Sequence, residues 1–218
     1  MSRTTIADVA KVAGVSKATV SRVLSGNFAY MRPDTRIRVE EAIEKLNYRP
    51  SSVARSLTSK RTNTVALLIS DIGNPFYGDV ILGVEQVAIT ENYDIFLCNT
   101  TYDVVRGMNF IHSLIDKRVD GVLIMSSSVS ELWIDELRKN NVPVVISDWK
   151  PDYEASGMGV IDVDFETGIE EAVNHLVGLG HTRFAHVSGP LELRTARNRR
   201  DLFLQALSKH GIPAEKVS

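Results

Sequence analysis

The sequence predicts an α/β protein, a parallel α/β sheet body preceded by a small all-α head. Three observations predict this. The stretch Thr5–Leu24, TIADVAKVAGVSKATVSRVL, spells a complete helix-turn-helix. After Asn63 the pattern changes to short β-branched runs alternating with longer amphipathic segments. Charge divides along the same line. Residues 1–60 hold eleven Lys/Arg against five Asp/Glu, a net of +6, within a chain whose formal charge is −2, so the remainder carries −8. A basic head on an acidic body suits nucleic-acid binding by one end of the molecule.

In the head, Ile6, Val9 and Ala10 fall on one face of a first helix, and Thr5 followed by Asp8 has the form of a capping box. Gly14 supplies the turn, and Ser16 can cap a second helix whose buried side is Val20, Val23 and Leu24. At 100° per residue, the opposite face carries Ala18, Ser21 and Arg22, with Lys17 on its flank. A capped helix with a small, basic outer face suits the major groove. There an Arg can meet guanine in a bidentate contact and an Ala methyl can meet a thymine methyl. The competing reading, a plain αα-hairpin, leaves the coincident basic charge unexplained.

After the loop Ser25–Met31, Pro33 stands at a helix-start position, and the spacing gives an apolar stripe of Ile37, Val39, Ala42, Ile43 and Leu46. Arg32 occupies the place where a Ser or Asp cap is expected, so this start is weakly signalled. In Tyr48–Leu57, Pro50 can open one or two turns that place Val53 and Leu57 at i, i+4. So short a helix is marginal in water and would fold only when something else orders it. Leu57, flanked by Arg55 and Lys60, could wedge into a minor groove, or Val53 and Leu57 could pack onto the following domain. The spacing permits both.

In the body, strands are expected at Val65–Ser70, Asp94–Cys98, Gly121–Met125, Val144–Ser147, Gly159–Val163 and Phe184–Val187. Helices are expected at Phe76–Glu91, Asp103–Lys117, Ser130–Asn140, Glu166–Leu179 and Thr195–His210. Such alternation implies right-handed crossovers covering a parallel sheet on both faces, with ligands beyond the C-terminal strand ends. That rim receives Asp71, Asn74 and Phe76 after the first strand, Ser126 and Ser127 after the third, and Asp148 and Trp149 after the fourth. Asp and Asn with flat Phe and Trp walls suit a polyhydroxylated or heterocyclic ligand, hydrogen-bonded in its plane and stacked on its face.

Enzymatic signatures are missing from the sequence. The turn after the first strand reads SDIGNPF rather than GxGxxG, and neither a Walker loop nor GxSxG occurs. The spacing of His175, His181 and His186 straddles a helix end and a strand, so they do not share one face as metal ligands would, and Gly180–His181 reads as a helix C-cap. The reading is therefore a non-enzyme that uses neither cofactor nor metal. Cys98, in the apolar run YDIFLCNT, reads as a core residue, and a lone cysteine fits a reducing cytosol. With no apolar stretch of membrane-spanning length and no signal-peptide core, the expectation is a cytoplasmic protein without a membrane partner.

The segments DVAKVAGVSKATVSRVLSG, LNYRPSSVARSL and VALLISDIGNPFYGDVILGVEQ together resemble the lac/galactose repressor (LacI/GalR) family of bacterial transcription regulators. The resemblance implies a homodimer on a palindromic double-stranded DNA operator, with Lys17, Ala18 and Arg22 reading base edges. It implies that Thr5, Ser16, Thr19, Ser21 and Asn27 face phosphates, which position the head without reading sequence. It further implies a hinge helix of Val53, Ala54, Arg55 and Leu57 that forms on DNA, and a periplasmic-binding-protein-like body. In that body Asn74, Phe76, Asp148, Thr195 and Arg199 would sit at or near a cleft for a small-molecule effector, a sugar or related metabolite. Asp71 and Trp149 join them from the strand-end reading. The family pattern after the Arg199 position continues Arg-x-x-Gly-Phe, where this chain has Leu202 before Phe203.

The expected organisation is a helix-turn-helix head over 1–48, a hinge and linker over 49–62, an N-terminal subdomain over 63–160 and an incomplete second subdomain over 161–218. Relatives in the family run on well past this point, so the chain is expected to be a fragment. The expected function is a transcriptional repressor, of a catabolic operon, under effector control. The alternative is a soluble α/β small-molecule binding protein or vestigial enzyme whose N-terminal helices only mediate oligomerisation.

Overall fold

The computed structural model describes residues 4–50, 61–147 and 157–213. The chain forms two compact units, Met1–Thr62 and Asn63–Ser218.

In the first unit lie α1 (Ile6–Ala13), α2 (Lys17–Leu24) and α3 (Pro33–Lys45). The capping box at Thr5 is complete: the Asp8 amide donates to the Thr5 hydroxyl, and the Thr5 amide donates to the Asp8 carboxylate at 2.9 Å. Gly14 ends α1 at φ 64, a left-handed conformation that glycine adopts without a Cβ penalty. The Ser16 hydroxyl caps α2 by accepting from the Thr19 amide at 3.1 Å. Arg32 gives α3 no side-chain cap, so that helix starts on Pro33 alone. Val9, Val20 and Val39 are fully buried beside Ala10, Ala13 and Ala42, with Leu24, Ile43 and Leu46 packed against them. Ile37 departs from the expected stripe, being 51% exposed. It lies two residues before Val39, roughly 200° around the helix from the buried face.

The second unit holds a five-stranded, wholly parallel sheet in the order β2-β1-β3-β4-β5. The strands are β1 (Thr64–Ile69), β2 (Asp94–Asn99), β3 (Gly121–Met125), β4 (Val144–Ser147) and β5 (Met158–Ile161). The helices are α4 (Phe76–Thr90), α5 (Val104–Asp116), α6 (Glu131–Lys139), α7 (Phe165–Gly178) and α8 (Arg194–Lys209). Alternation along β1 sorts the layers. Ala66 and Leu68 join Val122, Ile124, Val144 and Ile146 under Ile111 and Leu114 of α5 and Trp133, Ile134 and Leu137 of α6. Leu67 and Ile69 face the other way, with Tyr77, Ile81 and Val84 of α4. Each buried branched side chain contributes about 1.5–3 kcal/mol over exposure. Cys98 lies in the first core, and burial pushes its thiol up to about 11.

Beyond β5, α7 and α8 pack on each other around Val173, Phe184, Ala206 and Leu207. The expected strand Phe184–Val187 reduces to a single bridge at Phe184, and Val187 is 99% exposed. Gly180, at φ 84, ends α7: its amide donates to Val177 O, and His181 donates to Leu176 O.

Candidate nucleic-acid interface and candidate effector site

Helix α2 turns Val20 and Val23 into the head core and leaves Lys17, Ala18, Ser21 and Arg22 exposed together on its outer face. Thr5 and Asn27 are exposed and Thr19 is half-buried. The hydroxyls of Ser16 and Thr19 lie 3.0 Å apart at the helix start, so both also serve the cap. The loop after α2 is tied down locally. The Asn27 amide donates to Arg22 O, the Ala29 amide to the Asn27 side-chain oxygen, and the Ser25 hydroxyl to Arg22 O. Arg36 lies over the Phe28 ring at 4.2 Å and pairs with Glu40 at 2.6 Å. Val53, Ala54, Arg55 and Leu57 fall outside the described residues, as do Asp148 and Trp149.

In the body, the strand order reverses between β1 and β3, the position at which open parallel sheets form a ligand crevice. The residues following those two strands are hydroxyls. Ser70 donates to Ser126 at 3.0 Å, the Ser127 amide donates to Ser70, and Ser126 bonds Ser128 at 3.1 Å. Ser126 is buried as part of this cluster, whereas Ser127 is half-exposed. On the same C-terminal edge, the Asn99 side-chain oxygen and the Ser147 hydroxyl are buried with no hydrogen-bond partner among the described residues. Asp71 and Asn74 build the turn into α4: the Asp71 carboxylate accepts from the Gly73 amide, and the Asn74 oxygen accepts from the Phe76 amide. Phe76 is 55% exposed and stands edge-on to Tyr77.

A cavity of about 730 Å³ opens where the loop after β5 meets the start of α8. Asp162, Asp164, Glu166, Arg194, Arg197 and Asp201 give it a charged lining, joined by Phe165, Thr195 and Leu202. Thr195 is thus in the wall, nearly buried, and Leu202 packs where the family pattern has glycine. Arg199 lies outside the lining, its guanidinium 4.9 Å from the Phe165 ring centre. The Arg197 guanidinium holds the loop before α8 by donating to Leu191 O at 2.7 Å and Glu192 O at 3.1 Å. The Asp164 carboxylate caps α7, and the Thr167 amide that it accepts from holds it below the usual range. Asp71, Asn74 and Phe76 do not line this cavity. Sequence reasoning missed Asp162 and Asp164, although the strand-end rule that selected Asp71 applies equally after β5. His175 and His181 are exposed, while His186 stacks on Phe203 at 4.8 Å.

Residues 5–51 match the bacterial regulatory proteins of the lacI family. Residues 62–218 match the periplasmic binding proteins and sugar binding domain of the LacI family. The chain is 39% identical over 212 residues to catabolite control protein A of Priestia megaterium, covering 96% of this chain and 62% of that protein. It is 40% identical over 209 residues to the HTH-type transcriptional repressor PurR of Aliivibrio salmonicida (strain LFI1238), covering 95% and 62% respectively. Among solved structures, the lac repressor dimer bound to operator and the anti-inducer ONPF superposes with a TM-score of 0.82 at 27% identity, over 98% of this chain and 64% of that one. The transcriptional regulator CelR–cellobiose complex does so at 0.62 and 28%, over 99% and 65%. The chain therefore spans somewhat under two thirds of the length of these relatives.

Proposed function

The chain belongs to the LacI family of bacterial regulatory proteins, and from that premise we propose that it is a sequence-specific DNA-binding repressor controlled by a small-molecule effector. The observation that carries this reading is the outer face of α2. A helix capped by Ser16 and backed by valines presents Lys17, Ala18, Ser21 and Arg22 together on a compact basic unit separate from the α/β body. Lys17, Ala18 and Arg22 read base edges, while Thr5, Ser16, Thr19, Ser21 and Asn27 meet phosphates. Segment 49–62 is the hinge, in which Val53, Ala54, Arg55 and Leu57 order on DNA and Leu57 pries a central base step.

A palindromic operator calls for a two-fold dimer, and an apolar surface of the body supports a homodimer. Leu82 and Ile89 share an exposed stripe of α4, which packs beside the edge strand β2, and Leu97, on the face of β2 that looks toward α4, is also exposed. The effector, a sugar or related metabolite, lies between Asp71, Asn74, Phe76, Asp148 and Trp149 on one side and Thr195 and Arg199 on the other. The Asn99 and Ser147 atoms at the strand ends, which find no partner among the described residues, support polar ligation there. Its binding changes the relative orientation of the parts that flank it, and differential affinity for the two orientations sets the size of the switch. The site of action is the cytoplasm, on a catabolic operon.

The test is a salt-dependent mobility shift on a pool of random palindromes, followed by Arg22→Ala. Specific retention is expected, with affinity falling steeply as salt rises. Arg22→Ala is expected to cost about 1–3 kcal/mol and to relax preference at one base position per half-site. Equal weakening on every sequence would make Arg22 a phosphate contact, and no specific retention would leave the head an oligomerisation module.

A further inference from the structure

We infer that the effector carries an anionic group, a phosphate or a carboxylate, which docks on the start of α8 while hydroxyls of the same molecule meet Asp162 and Glu166. The inference rests on the effector-controlled reading above and narrows its ligand from sugars in general to acidic or phosphorylated ones. Thr195, in the first turn of α8, lines the cavity and is only 9% exposed. Its hydroxyl makes no hydrogen bond among the described residues, whereas a hydroxyl at that depth ordinarily finds a partner. The helix start around it is equally unspent. Leu193 supplies no side-chain cap, and the first turn holds no acidic residue. Backbone bonding in α8 begins with the Arg197 amide on Leu193 O, so the amides of Arg194, Thr195 and Ala196 have no carbonyl within the helix to meet. A helix of 16 residues presents about half a positive charge at such an end.

The charged side chains of the cavity divide between its two sides. Asp164 caps α7 and Asp201 pairs with Arg200 at 2.8 Å, so both are already matched. Arg197 gives Nη1 to Leu191 O and Glu192 O, and its Nε and Nη2 take no part in those bonds. Donors and cationic charge therefore collect at the start of α8. An anion there gains charge-assisted hydrogen bonds from the first-turn amides and the Thr195 hydroxyl. Acceptors collect on the β5–α7 side, where the Asp162 and Glu166 carboxylates suit the hydroxyls of a sugar. A neutral sugar would leave the positive end of α8 without a counter-charge, and a bare anion would leave the carboxylates opposite it without donors.

Titration calorimetry of the full chain, at an ionic strength held constant with chloride, tests this. The probes are D-glucose with glucose 6-phosphate and D-glucuronate, D-ribose with ribose 5-phosphate, and inorganic phosphate alone. At least one anionic sugar is expected to bind about ten- to a hundred-fold more tightly than its uncharged parent. Glucose 6-phosphate against glucuronate then tells which anion is taken. Thr195→Val is expected to weaken that binding about ten-fold or more, and Thr195→Ser to restore it. Without ligand, Thr195→Val should keep the wild-type thermal midpoint, since the hydroxyl it removes makes no bond there, which separates lost contact from lost folding. An uncharged parent that binds as tightly as its anionic form overturns the inference, as does a panel in which no anionic sugar binds. Anion binding that is equal in wild type and Thr195→Val overturns it too, by showing a general charge effect. A mobility shift on the random palindromes keeps the two readings apart. A chain that takes the anionic sugar but retains no DNA keeps the inference and removes the repressor reading, and specific retention with no anionic sugar bound does the reverse.

Discussion

The head and the body solve the same burial problem with different materials, and the difference separates what each can present to a partner. The head closes on valines and alanines from three short helices, and its helix starts lean on local polar bonds at Thr5–Asp8 and Ser16–Thr19. Small core residues let the helices approach closely and leave the whole outer face of α2 free of structural duty. The body closes on Trp133 and branched side chains between a sheet and helices on both faces. What it presents is an edge, where Ser70 bonds both Ser126 and Ser127, and where Asn99 and Ser147 find no partner among the described residues. On the proposed function, recognition is thus a surface property in one unit and a rim property in the other.

The largest effect expected from disturbing this contrast is at Gly107 on α5. A Cβ there would fall inside the Trp133 ring, which is fully buried and fixed by its indole N–H donating to Val104 O at 3.1 Å. Gly107→Ala is expected to destabilise the body by at least about 3 kcal/mol, because neither partner has room to move. Hydrogen exchange read peptide by peptide checks it: protection should fall across β1, β3 and β4 and remain unchanged in α1–α3. Equal loss in both units would mean that they do not fold independently. Leu207→Ala, in the thinner α7–α8 cluster, is expected to cost about 2 kcal/mol, the low end for a buried leucine, since few neighbours surround it. Its exchange signature should be confined to α7 and α8.

Most elements were legible from local chemistry, for reasons that these two regions make plain. Thr5, Ser16, Asp103, Ser130 and Asp164 accept from the first turns of their helices, so helix starts announce themselves. β3 and β4 match their expected limits because branched runs between turn residues leave one interpretation. Ile37 was misassigned to the apolar stripe, although its angle of roughly 200° from Val39 sets it off the buried face. Phe184–Val187 was not legible, because a strand needs an edge to pair with and no local signal reports one. The cavity was legible only at Thr195. Phe165 beneath Arg199 and the Arg197 hold on Leu191 and Glu192 depend on segments brought together by folding.

Gly14→Ala sharpens the contrast from the head's side. Space does not oppose it, as the nearest atom to a new Cβ is an Arg38 guanidinium nitrogen at 4.0 Å. The cost is backbone alone, about 1–2 kcal/mol for an alanine at φ 64. A thermal midpoint lowered for the head only, with helicity of α7 and α8 intact, is the expected outcome. A loss as large as that at Gly107 would show that Gly14 also supports packing.

The smallest expected effect is the response to pH, and it differs between the units in shape. Asp8 in the head is held below the usual carboxylate range, first by the Thr5 hydroxyl and then by the Thr5 amide. Asp164 in the body is lowered chiefly by the Thr167 amide. A carboxyl whose folded value lies below its unfolded one contributes stability that is present above about pH 4 and is lost as pH falls through the folded value. Both units should therefore soften on the acid side, and only slightly, because both carboxylates are fully solvated. On the alkaline side they should part. Lys209 of α8 bonds Glu170 of α7 and is raised above its usual value, chiefly by that bond. Its contribution is complete below the unfolded value near about 10.4 and is lost as pH rises through the folded one. Thermal scans from about pH 3 to 11.5 on wild type, Asp8→Asn and Glu170→Gln check the assignment. Asp8→Asn should flatten the acid limb of the head transition and leave the body untouched. Glu170→Gln should remove the upward shift of Lys209, so the body transition is lowered slightly at neutral pH and its alkaline limb flattens while the head's is unchanged. An alkaline limb that flattens in both transitions would mean that the α7–α8 pair and the head share one cooperative unit.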